Sequence, residues 1–255
     1  MPYLERDGVS IYFEDTGSGP AVLLSHGFSA SSRMWADQRK AFAETHRVIT
    51  WDMRGHGQTK GPDAQTGYSE ADSVADMAAI LDACAVDRGV IGGLSLGGYM
   101  SLAFYNAHPE RVRALMLFDT GPGYRNPDAR AKWNEHAEKW AMTLEQDGLE
   151  AFETMGSDEM RPEWHNSAKG LAKAARGMLA QFDSAVLESL PNIDVPTLIL
   201  VGQNDKAFIA PTDYMAKKIP GAQKVVIPDA GHAANMHNPA AFNPAVHSFL
   251  SGLSA

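Results

Sequence analysis

The chain has 255 residues, a formal net charge of -9, 44% hydrophobic and 21% charged residues, and 23 glycines. That balance suits a globular domain with a sizeable core and excludes a disordered or fibrous chain. The acidity opposes phosphate backbones and anionic lipid surfaces, so neither a nucleic-acid partner nor a membrane partner is expected.

The opening MPYLERDGVS mixes acidic and basic residues where a signal peptide needs an apolar stretch. No later segment reaches the apolar length of a membrane span, and a cytoplasmic location is expected. After Asp7-Gly8, the residues Val9, Ile11 and Phe13 alternate with Ser10, Tyr12 and Glu14, which predicts an edge strand. Six nearly continuous apolar runs follow: AVLLS (21–25), RVITW (47–51), RGVIG (88–92), ALMLF (114–118), PTLILV (196–201) and KVVIP (224–228). Such runs mark strands covered on both faces. Helical periodicity lies between them at 69–85, 96–107, 213–219 and 239–250. Strand alternating with helix predicts an α/β fold, a mostly parallel central sheet flanked by helices with right-handed crossovers. The single cysteine, Cys84, excludes an internal disulfide or a CxxC pair and falls in helical series with Val74, Met77, Ala78 and Leu81.

One interval interrupts the alternation. From 124 to 182 the pattern is helical and without a convincing strand, which predicts a helical cap (124–182) inserted into a core formed by 1–123 and 183–255. This insert is rich in Trp and Met: Trp133, Trp140, Met142, Met155, Met160, Trp164 and Met178. Such stripes mostly seal one layer onto another. Trp133, Trp140 and Trp164 are the candidates for touching substrate.

The chemistry-bearing motif is Gly93-Leu94-Ser95-Leu96-Gly97, a GxSxG between an apolar run and a helical one. A sharp turn from strand to helix leaves no room for side chains at Gly93 and Gly97 and holds Ser95 strained with its hydroxyl presented above the sheet. A serine hydroxyl is a weak nucleophile and needs a base, which in turn needs an orienting acid. In open parallel sheets functional groups gather beyond the carboxyl ends of strands. There Asp205 follows PTLILV in GQNDKAF, and His232 follows KVVIP in DAGHAAN. The rivals are Asp119, which ends LMLFD, and His237; His26, His56 and the other histidines are read as structural. The backbone N–H groups of Phe28, in the loop after AVLLS, and of Leu96 are the candidate oxyanion donors. No cluster has metal-ligand spacing, so no metal is expected.

With these motifs the chain resembles the α/β-hydrolase superfamily over essentially its whole length. WDMRGHGQT (51–59) is similar to that family's D-x-R-G-x-G turn, read from its residues as a tight, internally hydrogen-bonded loop. HGFSASSRMW, GLSLGG and AGHAANMHNPAAFN resemble the branch of 3-oxoadipate enol-lactonases and small carboxylesterases. The resemblance implies the α/β-hydrolase fold and a Ser95, Asp205, His232 triad. The expected function is a cofactor-free serine hydrolase acting on a small or medium carboxylic ester or lactone through an acyl-enzyme. A carbon-carbon bond hydrolase of this fold and a non-catalytic ligand receptor are the alternatives. An anionic lactone would need a cation in the pocket, for which the insert offers Arg125, Arg130, Arg161 and Arg176.

Overall fold

The computed structural model describes residues 3–155 and 159–253, with the side chains of Thr154 and Met155 outside the described part. Eight strands form one sheet: β1 (Tyr3–Arg6), β2 (Val9–Thr16), β3 (Ala21–Ser25), β4 (Arg47–Trp51), β5 (Gly89–Leu94), β6 (Val112–Phe118), β7 (Thr197–Gly202) and β8 (Gln223–Ile227). Their order across the sheet is β1-β2-β4-β3-β5-β6-β7-β8. The β1–β2 and β2–β4 pairs are antiparallel and every later pair is parallel.

Two expectations about the sheet edges need correction. The strand from Val9 is not the edge: Asp7 (φ 49°) and Gly8 (φ 74°) form a tight reversal that folds Tyr3–Arg6 back as the outermost strand. Consecutive positive φ values match the right-handed twist of a hairpin. At the other end, β8 is not covered on both faces, and Val226 is exposed. It pairs with β7 alone.

The inner strands bury both faces because alternate side chains enter different cores. Leu23, Ile49, Ile91, Leu115 and Ile199 join one apolar cluster; Val22, Leu24, Val48, Val90 and Leu198 join the other. The second cluster is closed by α1 (Ala36–Phe42) and a C-terminal helix through Phe42, Phe242, Val246 and Phe249. The first is closed by α2 (Glu70–Ala83) and α3 (Leu96–Ala107), with Cys84 buried just beyond the end of α2. Burial pushes the Cys84 thiol up to about 11, so it stays protonated and inert.

Between β6 and β7 lie α4 (Pro127–Asp147), α5 (Ala151–Met155), α6 (Ala168–Ala174) and α7 (Ala185–Ser189), and no strand among the described residues. Asn126 caps α4, accepting from the amide of Asp128, and Pro127 starts it. A π-turn at Ala175–Leu179 ends the α6 segment. Leu171, Ala172, Ala174, Ala175 and Met178 bury themselves in the first cluster, so this segment lies over the helix α3 side of the sheet. The last helices are α8 (Lys206–Lys218), α9 (Ala234–His237) and α10 (Pro239–Ser251). Helix α8 begins seven residues before the expected 213, despite Pro211 inside it. Proline removes one helical hydrogen bond, and here the helix runs through that loss. No helix of the described residues is long and apolar enough to cross a membrane.

Candidate active site

The turn from β5 into α3 is built by steric necessity. A Cβ on Gly97 would lie 2.2 Å from the Ser25 carbonyl oxygen, and one on Gly93 would lie 2.4 Å from the Gly97 carbonyl carbon. Neighbouring backbones meet where those side chains would stand. Ser95 sits at the apex with φ 54° and ψ -116°, a left-handed conformation unfavourable for a residue with a Cβ. From Gly89 to Tyr105 it is the one residue that is not buried. Its amide is pinned to the Phe118 carbonyl at 2.9 Å, and its carbonyl accepts from the Thr120 hydroxyl at 2.6 Å.

At the ends of β7 and β8 the two other candidates meet. His232 Nδ1 donates to Asp205 Oδ2 at 2.8 Å, which leaves Nε2 as the free acceptor of the neutral ring. Phe208, on the first turn of α8, stacks on the imidazole with centroids 4.9 Å apart and planes 25° from parallel. Burial works to lower the His232 pKa, but the hydrogen bond and charge of Asp205, with the charges of Glu159 and Asp119, outweigh it and hold the pKa above its usual value. Asp119 does not orient the histidine: its Oδ1 accepts from the Gly202 amide at 2.7 Å, and burial pushes its pKa well up. His237 is exposed, and its Nδ1 accepts from the Gly231 amide.

Phe28 lies in a four-residue turn closed by the Ala30 amide on the Gly27 carbonyl at 3.1 Å, with Ser29 at φ 62°. Leu96 is the first residue of α3, where an N–H has no acceptor within the helix. Around the Phe28 turn lies a polar frame. Asp52 accepts from the amides of Ser32 (2.6 Å) and Gln58 (2.8 Å). His26 Nε2 accepts from the Met53 amide at 2.9 Å, so its Nδ1–H donates to the Gly27 carbonyl at 2.7 Å. The 51–59 loop is thus bonded both to itself and outward, with Arg54 gripping Asp76 on α2 through two nitrogens. Another of the histidines read as structural completes the frame: His165 Nδ1 accepts from the Gly57 amide at 3.1 Å while its Nε2–H donates to the Ser29 carbonyl at 2.9 Å. It ties the segment between β6 and β7 to the turn that carries Phe28. Burial pushes its pKa down to about 4, so it stays neutral.

Ser95 opens into two cavities that share Trp133, Leu179 and Phe208. One, of about 120 Å³, runs over Leu96, Tyr99, Thr120, Tyr124 and Pro211. The other, of about 260 Å³, runs past Phe28, Trp140, Glu159, Met160 and His232. Trp133 is fixed by its Nε1–H on the Leu179 carbonyl (2.8 Å), at the π-turn, and Trp140 by its Nε1–H on His136 Nε2 (2.6 Å). Of the three predicted tryptophans, Trp164 lines neither cavity; it lies under Arg161, packed against the second core cluster. Tyr99, Thr120, Phe208 and Glu159 line the cavities without having been singled out from the sequence. Among the described residues no lysine or arginine lines either one. Arg176 pairs with Glu138 and Glu145, Arg125 lies near Glu188, and Arg130 reaches the Tyr124 carbonyl. Among the described residues no group of three or more His, Cys, Asp or Glu side chains is placed to hold a metal ion.

Comparison with known proteins gives a consistent picture. A family model described as "Alpha/beta hydrolase family" matches residues 22–245. A putative 2-succinyl-6-hydroxy-2,4-cyclohexadiene-1-carboxylate synthase of Bacillus subtilis is 30% identical, with 97% of each chain covered. Among solved structures, a thermophilic esterase from Thermogutta terrifontis superposes with a TM-score of 0.83 at 30% identity, covering 100% of this chain and 98% of that one. The enol-lactonase from Burkholderia xenovorans gives 0.79 at 25% identity, covering 98% and 100%.

Proposed function

We propose that this chain, which belongs to the alpha/beta hydrolase family, is a serine hydrolase that cleaves an ester with an uncharged acyl group through an acyl-enzyme. The observation that carries the reading is the His232 to Asp205 hydrogen bond of 2.8 Å at the rim of the cavity onto which the strained Ser95 opens. His232 Nε2 takes the Ser95 proton as Oγ attacks the ester carbonyl, and Asp205 stabilises the imidazolium that forms. The tetrahedral oxyanion lies under the amides of Phe28 and Leu96. Collapse breaks the bond to the leaving oxygen, which takes the proton from His232. A water deprotonated by the same ring then attacks the acyl carbon, and Ser95 recovers its proton.

The two cavities divide the substrate. The leaving oxygen must face the imidazole that protonates it, so the alcohol part occupies the chamber past His232, and the acyl part occupies the one over Tyr99 and Thr120. The helical segment 124–182 acts as a cap, supplying Trp133, Leu179 and Gln181 to the acyl chamber and Trp140 and Met160 to the other. Apolar walls without a cation favour a neutral acyl group over an anionic enol-lactone. Pre-steady-state hydrolysis of 4-nitrophenyl butyrate tests the reading. Nitrophenolate is expected to appear in a burst near one equivalent, and Ser95→Ala to lose both burst and turnover; turnover that survives Ser95→Ala overturns it.

A further inference from the structure

Glu159 is 3% exposed, lines the alcohol chamber together with Ser95 and His232, and its Oε2 has no hydrogen-bond partner among the described residues. A buried carboxylate oxygen without a donor is costly to leave so. Asp52 and Asp76 have donors on their buried carboxylates, and the buried Asp119, which also leaves Oδ2 without a partner, lines neither cavity, whereas Glu159 lines the chamber. Apart from Ser95, His136 and His232, the walls around it are aromatic and apolar: Phe28, Trp133, Trp140, Met160 and Phe208 among them. Two ring pairs hold those walls in place, Phe28 edge-on to Trp140 at 5.9 Å and Phe208 stacked on His232. A carboxylate acceptor inside an aromatic enclosure is the chemistry that receives an ammonium group, through a charge-assisted hydrogen bond and through the electron-rich ring faces.

We infer that Glu159 is a specificity-determining residue, and that the leaving alcohol of the preferred substrate carries a protonated amine within reach of its carboxylate. This rests on the serine hydrolase reading for its reaction, although not for its binding. A neutral hydroxyl would satisfy the orphan oxygen only with a weaker, uncharged hydrogen bond, and an anionic alcohol part would gain no favourable contact there.

The test compares two butyrate esters of matched shape, the 2-(dimethylammonio)ethyl ester and its carbon isostere, the 3-methylbutyl ester. The ratio of their kcat/KM values cancels any effect of Glu159 on the chemistry common to both. For the wild type the ratio is expected to favour the cation by on the order of 10- to 100-fold, the worth of one charge-assisted hydrogen bond. In Glu159→Gln it should fall to about one. A wild-type ratio at or below one overturns the inference, as does a ratio that Glu159→Gln leaves unchanged while both pH profiles move together. In that last case Glu159 serves His232 alone. If Glu159→Gln does not fold, the wild type still decides through the order cationic, neutral, then anionic 2-carboxyethyl ester, any other order being contradictory. Calorimetric titration with dimethylbenzylammonium separates this inference from the function beneath it. Binding that weakens at least about tenfold in Glu159→Gln supports the cation site even if no ester is turned over, and equal binding to both proteins refutes it.

Discussion

Replacing Gly97 by alanine asks whether the backbone around the serine is as tightly packed as its geometry requires. The added Cβ would stand 2.2 Å from the Ser25 carbonyl oxygen, 2.5 Å from its carbon and 2.6 Å from the His26 carbonyl oxygen. Real Cβ contacts stay beyond 3.0 Å, so the start of α3 and the end of β3 must part by about 0.8 Å. The opposing atoms are backbone in a sheet, with no flexible side chain to swing aside. The cost is therefore expected at the upper end of overpacking, about 3 kcal/mol. For a chain of this size that lowers Tm by roughly 6–12 °C. In the proposed mechanism the same displacement moves the Leu96 amide relative to the carbonyl it polarises, and an error near 1 Å costs about 100-fold in rate. Gly252→Ala is the control, since its nearest new neighbour, at 3.5 Å, is in ordinary contact. Thermal unfolding followed by circular dichroism reads the first effect, and kcat/KM for 4-nitrophenyl butyrate reads the second. A Gly97→Ala protein as stable and as active as Gly252→Ala would refute the steric account of the elbow.

Two further outcomes concern protons. In the proposed mechanism His232 must be neutral to accept from Ser95, and its pKa is held above the usual value, so kcat/KM should rise with pH with a midpoint above the ordinary 6.5. Asp205→Asn removes the principal opposing charge; the midpoint should move to lower pH while kcat drops by about 10⁴, and a midpoint unmoved by the substitution contradicts the pairing. His165 has the opposite sign. Its folded pKa, pushed down to about 4, lies below the unfolded value of about 6.5, so between those limits the unfolded chain binds a proton that the folded one refuses. Stability should therefore be fully present above about pH 6.5 and decline toward pH 4, with His165 contributing on the order of 3 kcal/mol of the loss. Urea midpoints for His165→Gln should slope less steeply over that range, with the lowered pKa values of His26 and His56 supplying the slope that remains. A slope equal to that of the wild type would mean that His165 charges freely in the folded protein.

Much of this architecture was legible in the chain because it rests on local or periodic signals. The helix Leu96–Ala107 lies where its pattern starts and stops. Gly93, Gly97 and Ser95 are neighbours in sequence as well as in space. Asp205 and His232 could be singled out because each follows an apolar run, and the sheet brings the ends of adjacent parallel strands together. What escaped has no such signature. Tyr3–Arg6 is short and polar, so only the reversal at Asp7-Gly8 reveals it as a strand. The first turns of α8 were hidden by Pro211, which reads as a stop, and with them the position of Phe208 against His232. Glu159 and the partners of His165 carry no such signature: Glu159 stands on irregular backbone beside Phe28 and His232, and His165 bonds to the Gly57 and Ser29 loops, all far away in the chain. Trp164 shows the converse error: residue type suggested a ligand contact where the chain needed a side chain to cover the second core cluster.

The central claim, that Ser95 is made nucleophilic by a histidine from the far end of the sheet, is most directly tested by intact-mass and peptide analysis after exposure to a 4-nitrophenyl alkylphosphonate. The account predicts a single adduct on the peptide carrying Ser95, formed at least about 1,000-fold more slowly in His232→Ala. Adduct on any other residue, or equal labelling with and without His232, would contradict it.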